Sequence, residues 1–159
     1  MTEKSSIGFV RVLLAFLAAL ATTYVVAALF YSQLNLGQLV EMGIEVSAGV
    51  RLQTALHDVM GMVGLYLPIL AVGLMIAFAV ARLILRWVPQ LRKLAYIAAG
   101  FVGVFAIDAL MVSIFSMHPL AVTRTTVGLL SQCVAGALGG YVFALITAPS
   151  EEENYLATT

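Results

Sequence analysis

Residues 94–117 read LAYIAAGFVGVFAIDALMVSIFSM, and their one charged side chain is that of Asp108. A helix of about 20 apolar residues is long enough to cross the hydrocarbon core of a bilayer. The stretch therefore predicts a transmembrane helix that carries a carboxyl group well inside the membrane.

Three further apolar stretches, at about 7–31, 57–87 and 120–147, are long enough to span a membrane. Hydrophobic residues make up 62% of the 159 positions and charged residues only 10%, whereas a soluble domain has about 25% charged residues. These features predict an all-α integral membrane protein with a single four-helix transmembrane domain over residues 1–148. Residues 149–159 then form an acidic tail.

The N-terminal stretch could be confused with a secretory signal peptide, because Lys4 and Arg11 precede an apolar run and Ala19-Leu20-Ala21 resembles a cleavage site. The apolar run continues to Phe30, which is longer than an ordinary signal peptide needs. We therefore predict that the first span is retained.

Basic residues near the ends of spans predict their orientation, since they favour the cytoplasmic side. Six basic residues fall on the side of the N-terminus and two on the other; the six are Lys4, Arg11, Arg82, Arg86, Arg92 and Lys93, and the two are Arg51 and Arg124. This asymmetry predicts that both termini are cytoplasmic, with the protein integral to a membrane, which we expect to be a bacterial inner membrane.

The connections between the spans predict the topology. Those after spans two and three are short, so neighbouring helices should be antiparallel and form an up-down-up-down bundle. The connection at 32–56 is too polar to span and too apolar to be a free loop, and it predicts an outward amphipathic segment. Ser47 is the expected N-cap of a second helix that runs to Trp87 with a kink at Pro68.

Small residues at helical spacing predict where helices approach each other closely. Gly136 and Gly140 form a GxxxG pair on the fourth span, and Ala99, Gly100 and Gly103 form a small face on the third. Ala15, Ala18 and Thr22 do so on the first span. Because these faces extend around several helices, we expect a homo-oligomer or association with other membrane subunits, besides contact with the lipid bilayer.

Asp108 is the main candidate for function, because an ionisable group inside a span normally faces the bundle interior and has a partner. Arg124, about four residues into the fourth span, is the predicted partner. The pair admits three interpretations: an ion pair that fixes helix register, an outward pocket that binds a small ligand or ion, and a proton-coupled step.

Further polar residues are predicted to gather with this pair at the outer end of the bundle: Arg51, His57, Asp58, His118 and Gln132. The two histidines with Asp58 would supply three metal ligands, but no HxxxH or HxxE spacing supports a metal site. Haem ligation would need histidines deeper in the bundle. We therefore predict neither a metal nor a cofactor.

Several classes of function are disfavoured by the sequence. The formal net charge is zero, which argues against a nucleic-acid partner. Neither GxGxxG nor GxxxxGK[ST] follows a strand, so no nucleotide-binding loop is predicted. Cys133, the single cysteine, cannot form an intrachain disulfide and fits the role of a small buried apolar residue.

Three functions remain. The first is a membrane-embedded small-solute or ion binding or transport module with an outward-facing polar pocket. The second is a non-catalytic accessory or scaffold subunit of a larger membrane complex. The third, a membrane enzyme acting on a lipid or quinone, is the weakest, since no nucleophile paired with a base is seen.

Overall fold

The computed structural model describes residues 2–41, 43, 47–115 and 125–148, and over these residues the protein is all-helical. The sequence contains few helix breakers within its apolar stretches, which favours long helices. The described elements are α1 Thr2–Glu41, α2 Ala48–Gly61, α3 Tyr66–Ile84, a short 3-10 helix Pro89–Leu91, α4 Arg92–Phe115 and α5 Thr126–Ile146.

Among the described residues, four helical segments are long and apolar enough to cross a membrane: Phe9–Gly37, Tyr66–Ile84, Pro89–Met111 and Thr126–Ile146. This confirms the expected class, a helical protein with four apolar helices suited to a bilayer. The predicted tail, the predicted turn at 116–119 and the predicted start of the fourth span near residue 120 lie outside the described residues.

The first connection differs from its prediction. α1 does not end near residue 31 but continues through Glu41, because no proline interrupts the segment and its residues are compatible with a helix. Just beyond, Gly43 has a φ of +83°, a left-handed conformation that glycine adopts readily and that commonly ends helices. The first part of the predicted amphipathic segment, 32–41, therefore belongs to α1, and the separate helix that follows is α2.

Ser47 is the N-cap of α2, as predicted, and its hydroxyl accepts a hydrogen bond from the Val50 amide at 3.4 Å. The predicted continuous helix from Ser47 to Trp87 is wrong, since residues 62–65 form turns between α2 and α3. Pro68 has no N–H to donate to a preceding carbonyl, so it is best accommodated in a first helical turn, where that donor is not required. It is the third residue of α3.

α5 is packed through its glycines against two neighbours. A Cβ on Gly136 would clash with the main chain at Gly100 of α4, and one on Gly140 with the main chain at Tyr96. On its other side, a Cβ on Gly139 would lie 2.8 Å from the Ala19 carbonyl oxygen of α1. The predicted contact faces of α4 and α5 are confirmed. Of the face predicted on α1, Ala15 is buried but Ala18 and Thr22 are only half-buried; the fully buried residues beside them are Ala19 and Thr23.

One end of the core is aromatic. The ring centres of Phe78 and Phe143 are 4.6 Å apart in a stacked arrangement, and Tyr96 meets Phe143 at 4.8 Å. Phe78 lies on α3, Tyr96 on α4 and Phe143 on α5, so the cluster joins three helices. The polar residues of the core lie elsewhere, and they make up the candidate site.

Candidate functional site

Asp108 is buried inside the bundle on α4. Its side chain is 3% exposed, and neither carboxylate oxygen has a hydrogen-bond partner among the residues that the structure describes. Buried polar groups in proteins nearly always have a partner. A carboxyl group with two unpartnered oxygens is therefore the feature of this chain that most requires a functional explanation.

Two titratable side chains lie within electrostatic range of Asp108: the phenol of Tyr66 on α3 and the thiol of Cys133 on α5. Both are buried. Neither is a base or a cation that could neutralise a carboxylate. Among the described residues, therefore, no neighbour compensates the charge of an ionised Asp108.

A chain of hydrogen bonds passes beside this carboxyl group and joins three helices. The Tyr66 hydroxyl donates to Gln132 Oε1 at 3.4 Å, and Gln132 Nε2 donates to the main-chain oxygen of Ala27 at 3.1 Å. Gln132 is fully buried, so both ends of its amide are used. These hydrogen bonds hold the Tyr66 hydroxyl oxygen of α3 and the Gln132 amide oxygen of α5 in the same part of the core.

Ser32 on α1 is a second buried polar residue without a partner. Its side chain is 0% exposed, and its hydroxyl makes no hydrogen bond to any described residue. Serine and threonine inside helices commonly bond to the carbonyl one turn earlier, as Thr22 and Thr23 do here at 2.8 and 2.9 Å. The Ser32 hydroxyl makes no such bond to a described residue.

The predicted residues of the outer connection lie on α2 and are not joined to Asp108. Arg51 donates to Gln33 Oε1 at 3.3 Å, His57 is exposed and Asp58 is half-buried. Within the described ranges, no hydrogen bond or ion pair links any of the three to Asp108. No group of three His, Cys, Asp or Glu side chains in the described part of the chain is placed to hold a metal ion.

Arg124 and His118 lie outside the described residues. The predicted ion pair between Asp108 and Arg124, and the contribution of His118 to an outer polar cluster, therefore stay predictions. Of the predicted site residues, the structure brings Asp108 and Gln132 into one buried polar region.

Sequence reasoning missed Tyr66 and Ser32. Tyr66 precedes Pro68 at the start of an apolar stretch, and a tyrosine there is typical of a membrane interface. A buried tyrosine hydroxyl usually has a partner, but the sequence does not show which partner. Ser32 is missed because the predicted end of α1 came before it.

Oxygen atoms dominate this region: those of the Asp108 carboxyl, the Tyr66 hydroxyl and the Gln132 amide. Oxygen ligands suit hard cations, and a carboxyl group can also carry a proton. Fold and site together indicate an integral helical membrane protein with a buried carboxyl group that has no partner among the described residues. No protein-family model, curated protein or solved structure matches this chain.

Proposed function

We propose that this chain is a membrane-embedded module that binds a small ion, and moves it, at Asp108. The observation that carries the proposal is the burial of the Asp108 carboxyl group without a hydrogen-bond partner among the described residues. On insertion scales, a charged aspartate at the centre of a span costs about 2.5–3.5 kcal/mol. A bound proton or small cation would remove that cost by neutralising the carboxylate.

Helix register supports a common site for Asp108 and Ser32. Tyr96 lies against Gly140 and Gly100 against Gly136, so residues later on α4 meet residues earlier on α5, which is the pattern of an antiparallel pair. Continuing it by two turns brings Asp108 level with Gly128.

The same reasoning applies to α1 and α5. Thr23 lies against Gly139 and the Ala27 carbonyl is bonded to Gln132, so Ser32 should also be level with Gly128. Glycine has no side chain to fill the space at that level. We therefore propose an antiparallel bundle in which Asp108 and Ser32 flank Gly128 and hold the ion between them.

The proposed site opens to the outside of the cell. Asp108 lies seven residues before the last residue of α4, Phe115, which corresponds to about 10 Å along the helix axis. The basic residues concentrate at the opposite end of the spans, and this supports cytoplasmic termini. A bacterial inner membrane is the proposed location, and a homo-oligomer or a complex with other membrane subunits is the proposed assembly, since four spans alone rarely enclose a pore.

The test is labelling of Asp108 with a hydrophobic carbodiimide in native membranes, together with ion uptake into proteoliposomes. The carbodiimide reacts with an accessible protonated carboxyl group. We expect wild-type labelling that is blocked by one cation, and uptake of that cation or of protons that is lost in Asp108→Asn. The matched control is Asp58→Asn, which removes the same charge from α2 and should leave labelling and uptake unchanged.

The alternative is a non-catalytic scaffold subunit, which the packing of α5 favours. Glycines at 136, 139 and 140 bring α5 against the main chains of both α4 and α1, so α5 packs closely between these two helices. Asp108 would then pair with Arg124 and fix the register. In that case carbodiimide would not label Asp108 under any condition, wild type would move no ion, and Asp108→Asn would dissociate in detergent.

A further inference from the structure

A second polar region lies at the opposite end of the bundle, where α3 ends and α4 begins. It is a cavity of about 380 Å³ that α1 and α5 also line. Three arginines contribute to its wall: Arg82 and Arg86 from the end of α3 and its following turn, and Arg92 from the first residue of α4. None of these three belongs to the candidate ion site.

Arg92 is held in place by its neighbours. Its Nη2 donates to Thr147 Oγ1 at 2.7 Å and to the Thr147 main-chain oxygen, and its guanidinium carbon is 5.8 Å from the centre of the Tyr96 ring. A guanidinium has five N–H donors, so the group keeps free donors after these contacts. Its orientation is set before any ligand arrives.

Arg82 and Arg86 have no such anchor. Among the described residues, neither side chain has a hydrogen-bond or ion-pair partner. Both side chains line the same cavity as Arg92, and like charges that lie close together repel each other. A cation near a helix C-terminus interacts favourably with the helix dipole, but this does not explain why both arginines share one cavity with a third. An anion between them would relieve the repulsion.

Apart from Thr147, the rest of the cavity wall is largely apolar and is formed by Val12, Leu85, Pro89, Tyr96 and Phe143. A free inorganic anion gains nothing from such a surface. An amphipathic molecule with an anionic head and an apolar body matches both parts. Guanidinium groups bind phosphate through paired N–H donors, and basic pockets between transmembrane helices are known to accept anionic lipid headgroups.

We propose that this cavity binds a phosphate group presented by the headgroup of an anionic phospholipid. The phosphate lies among the three guanidinium groups, and the glycerol and the start of the acyl chains lie against the apolar part of the wall formed by Val12, Leu85 and Pro89. The cavity lies where α3 ends and α4 begins, and the ends of membrane spans are at the level of the lipid headgroups.

The test is native mass spectrometry of the full chain released from detergent with phosphatidylglycerol or phosphatidylcholine. We expect wild type to retain phosphatidylglycerol preferentially, and Arg82→Gln and Arg86→Gln each to retain it about tenfold more weakly, as expected for loss of a charge-assisted hydrogen bond. The matched control is Lys93→Gln, which removes one positive charge from the same end, outside this cavity, and should change retention little.

A second readout does not depend on variants. A photoactivatable phosphatidylglycerol should crosslink wild type within residues 82–96 and 143–147. Crosslinks confined to other segments, or equal loss of retention in Lys93→Gln and Arg86→Gln, would overturn the proposal.

Two further arms separate other sources of the anion. If inorganic phosphate alone saturates the site and phosphatidylglycerol shows no preference over phosphatidylcholine, the site takes free phosphate and the lipid assignment is wrong. If wild type retains no phosphatidylglycerol but a variant with Glu151, Glu152 and Glu153 changed to Gln does, the acidic segment of the chain itself excludes the lipid, and the proposal is overturned for the native protein.

Discussion

Gln132 on α5 donates a hydrogen bond from its side-chain Nε2 to the main-chain oxygen of Ala27 on α1, at 3.1 Å. The same amide group accepts from the Tyr66 hydroxyl of α3 through its oxygen. One fully buried side chain thus connects three helices that are distant in sequence. In a membrane, an apolar side chain is about equally stable against lipid and against another helix, so polar links of this kind help to determine which helices pack together.

Gln132→Leu should lower the free energy of unfolding by about 1–2 kcal/mol, because interhelical hydrogen bonds in membranes are of that size or smaller. Steric trapping in bicelles would measure the change. The matched control is Ser131→Ala, whose hydroxyl bonds only to Gly128 within its own helix, at 2.7 Å. Equal losses in the two variants would show that the connection between helices contributes nothing.

Asp108→Leu should raise the free energy of unfolding by about 1–3 kcal/mol, because it removes a buried polar group that has no partner among the described residues. The same variant should abolish ion binding. Thermal unfolding in detergent without added cation is the measurement, with Asp58→Leu as the control for loss of one acidic side chain. A marked destabilisation by Asp108→Leu would instead indicate that the carboxylate is paired with Arg124 and stabilises the fold.

Gly100→Ala and Gly136→Ala should each destabilise the contact between α4 and α5 by about 1–3 kcal/mol, the usual cost of overpacking. Each added methyl would meet main-chain atoms, which cannot move aside as a flexible side chain can. Gly37→Ala in α1 is the matched control, because nothing lies within 4 Å of its added Cβ. This control should be neutral or stabilising, by up to about 1 kcal/mol.

Arg11→Gln should loosen the last turn of α5. The Arg11 guanidinium donates to the main-chain oxygens of Ile146, at 2.9 Å, and Ala148, and basic side chains that bond to the last carbonyls of a helix contribute about 0.5–1 kcal/mol. Hydrogen exchange at the Thr147 amide, which donates to the Phe143 carbonyl at 3.0 Å, should be several-fold faster. Lys93→Gln should leave that exchange rate unchanged.

The four apolar helices were predictable because hydropathy over about 20 residues reflects a strong physical constraint, the thickness of the bilayer. The glycine faces of α4 and α5 were predictable as well, since close backbone approach requires small residues. The extent of α1 was not. A fall in hydropathy after residue 31 marks the end of an apolar surface, but the helix itself continues until Gly43 adopts a conformation that ends it.

The candidate site was predictable in part for a related reason. Asp108 and Gln132 are conspicuous, because a charged or amide side chain is rare inside a span. Ser32 and Tyr66 are residue types that are common in membrane helices. Only the packing shows that Ser32 has no partner among the described residues and that Tyr66 bonds to Gln132. Sequence patterns locate charged and amide side chains inside spans well, but they do not show which of the commoner polar residues pack around them.

The length of α1 has a consequence for the membrane itself. Its apolar part, Phe9–Gly37, has 29 residues, whereas the other three spans have 19, 23 and 21. At 1.5 Å per residue the difference between α1 and α3 is about 15 Å, half of a hydrocarbon core of about 30 Å. At equal tilt the two helices cannot both match one bilayer thickness, so α1 must tilt more than α3 or extend beyond the hydrocarbon core. Thinner and thicker membranes would change that hydrophobic mismatch, and with it the angle at which α1 meets α5 beside Gln132.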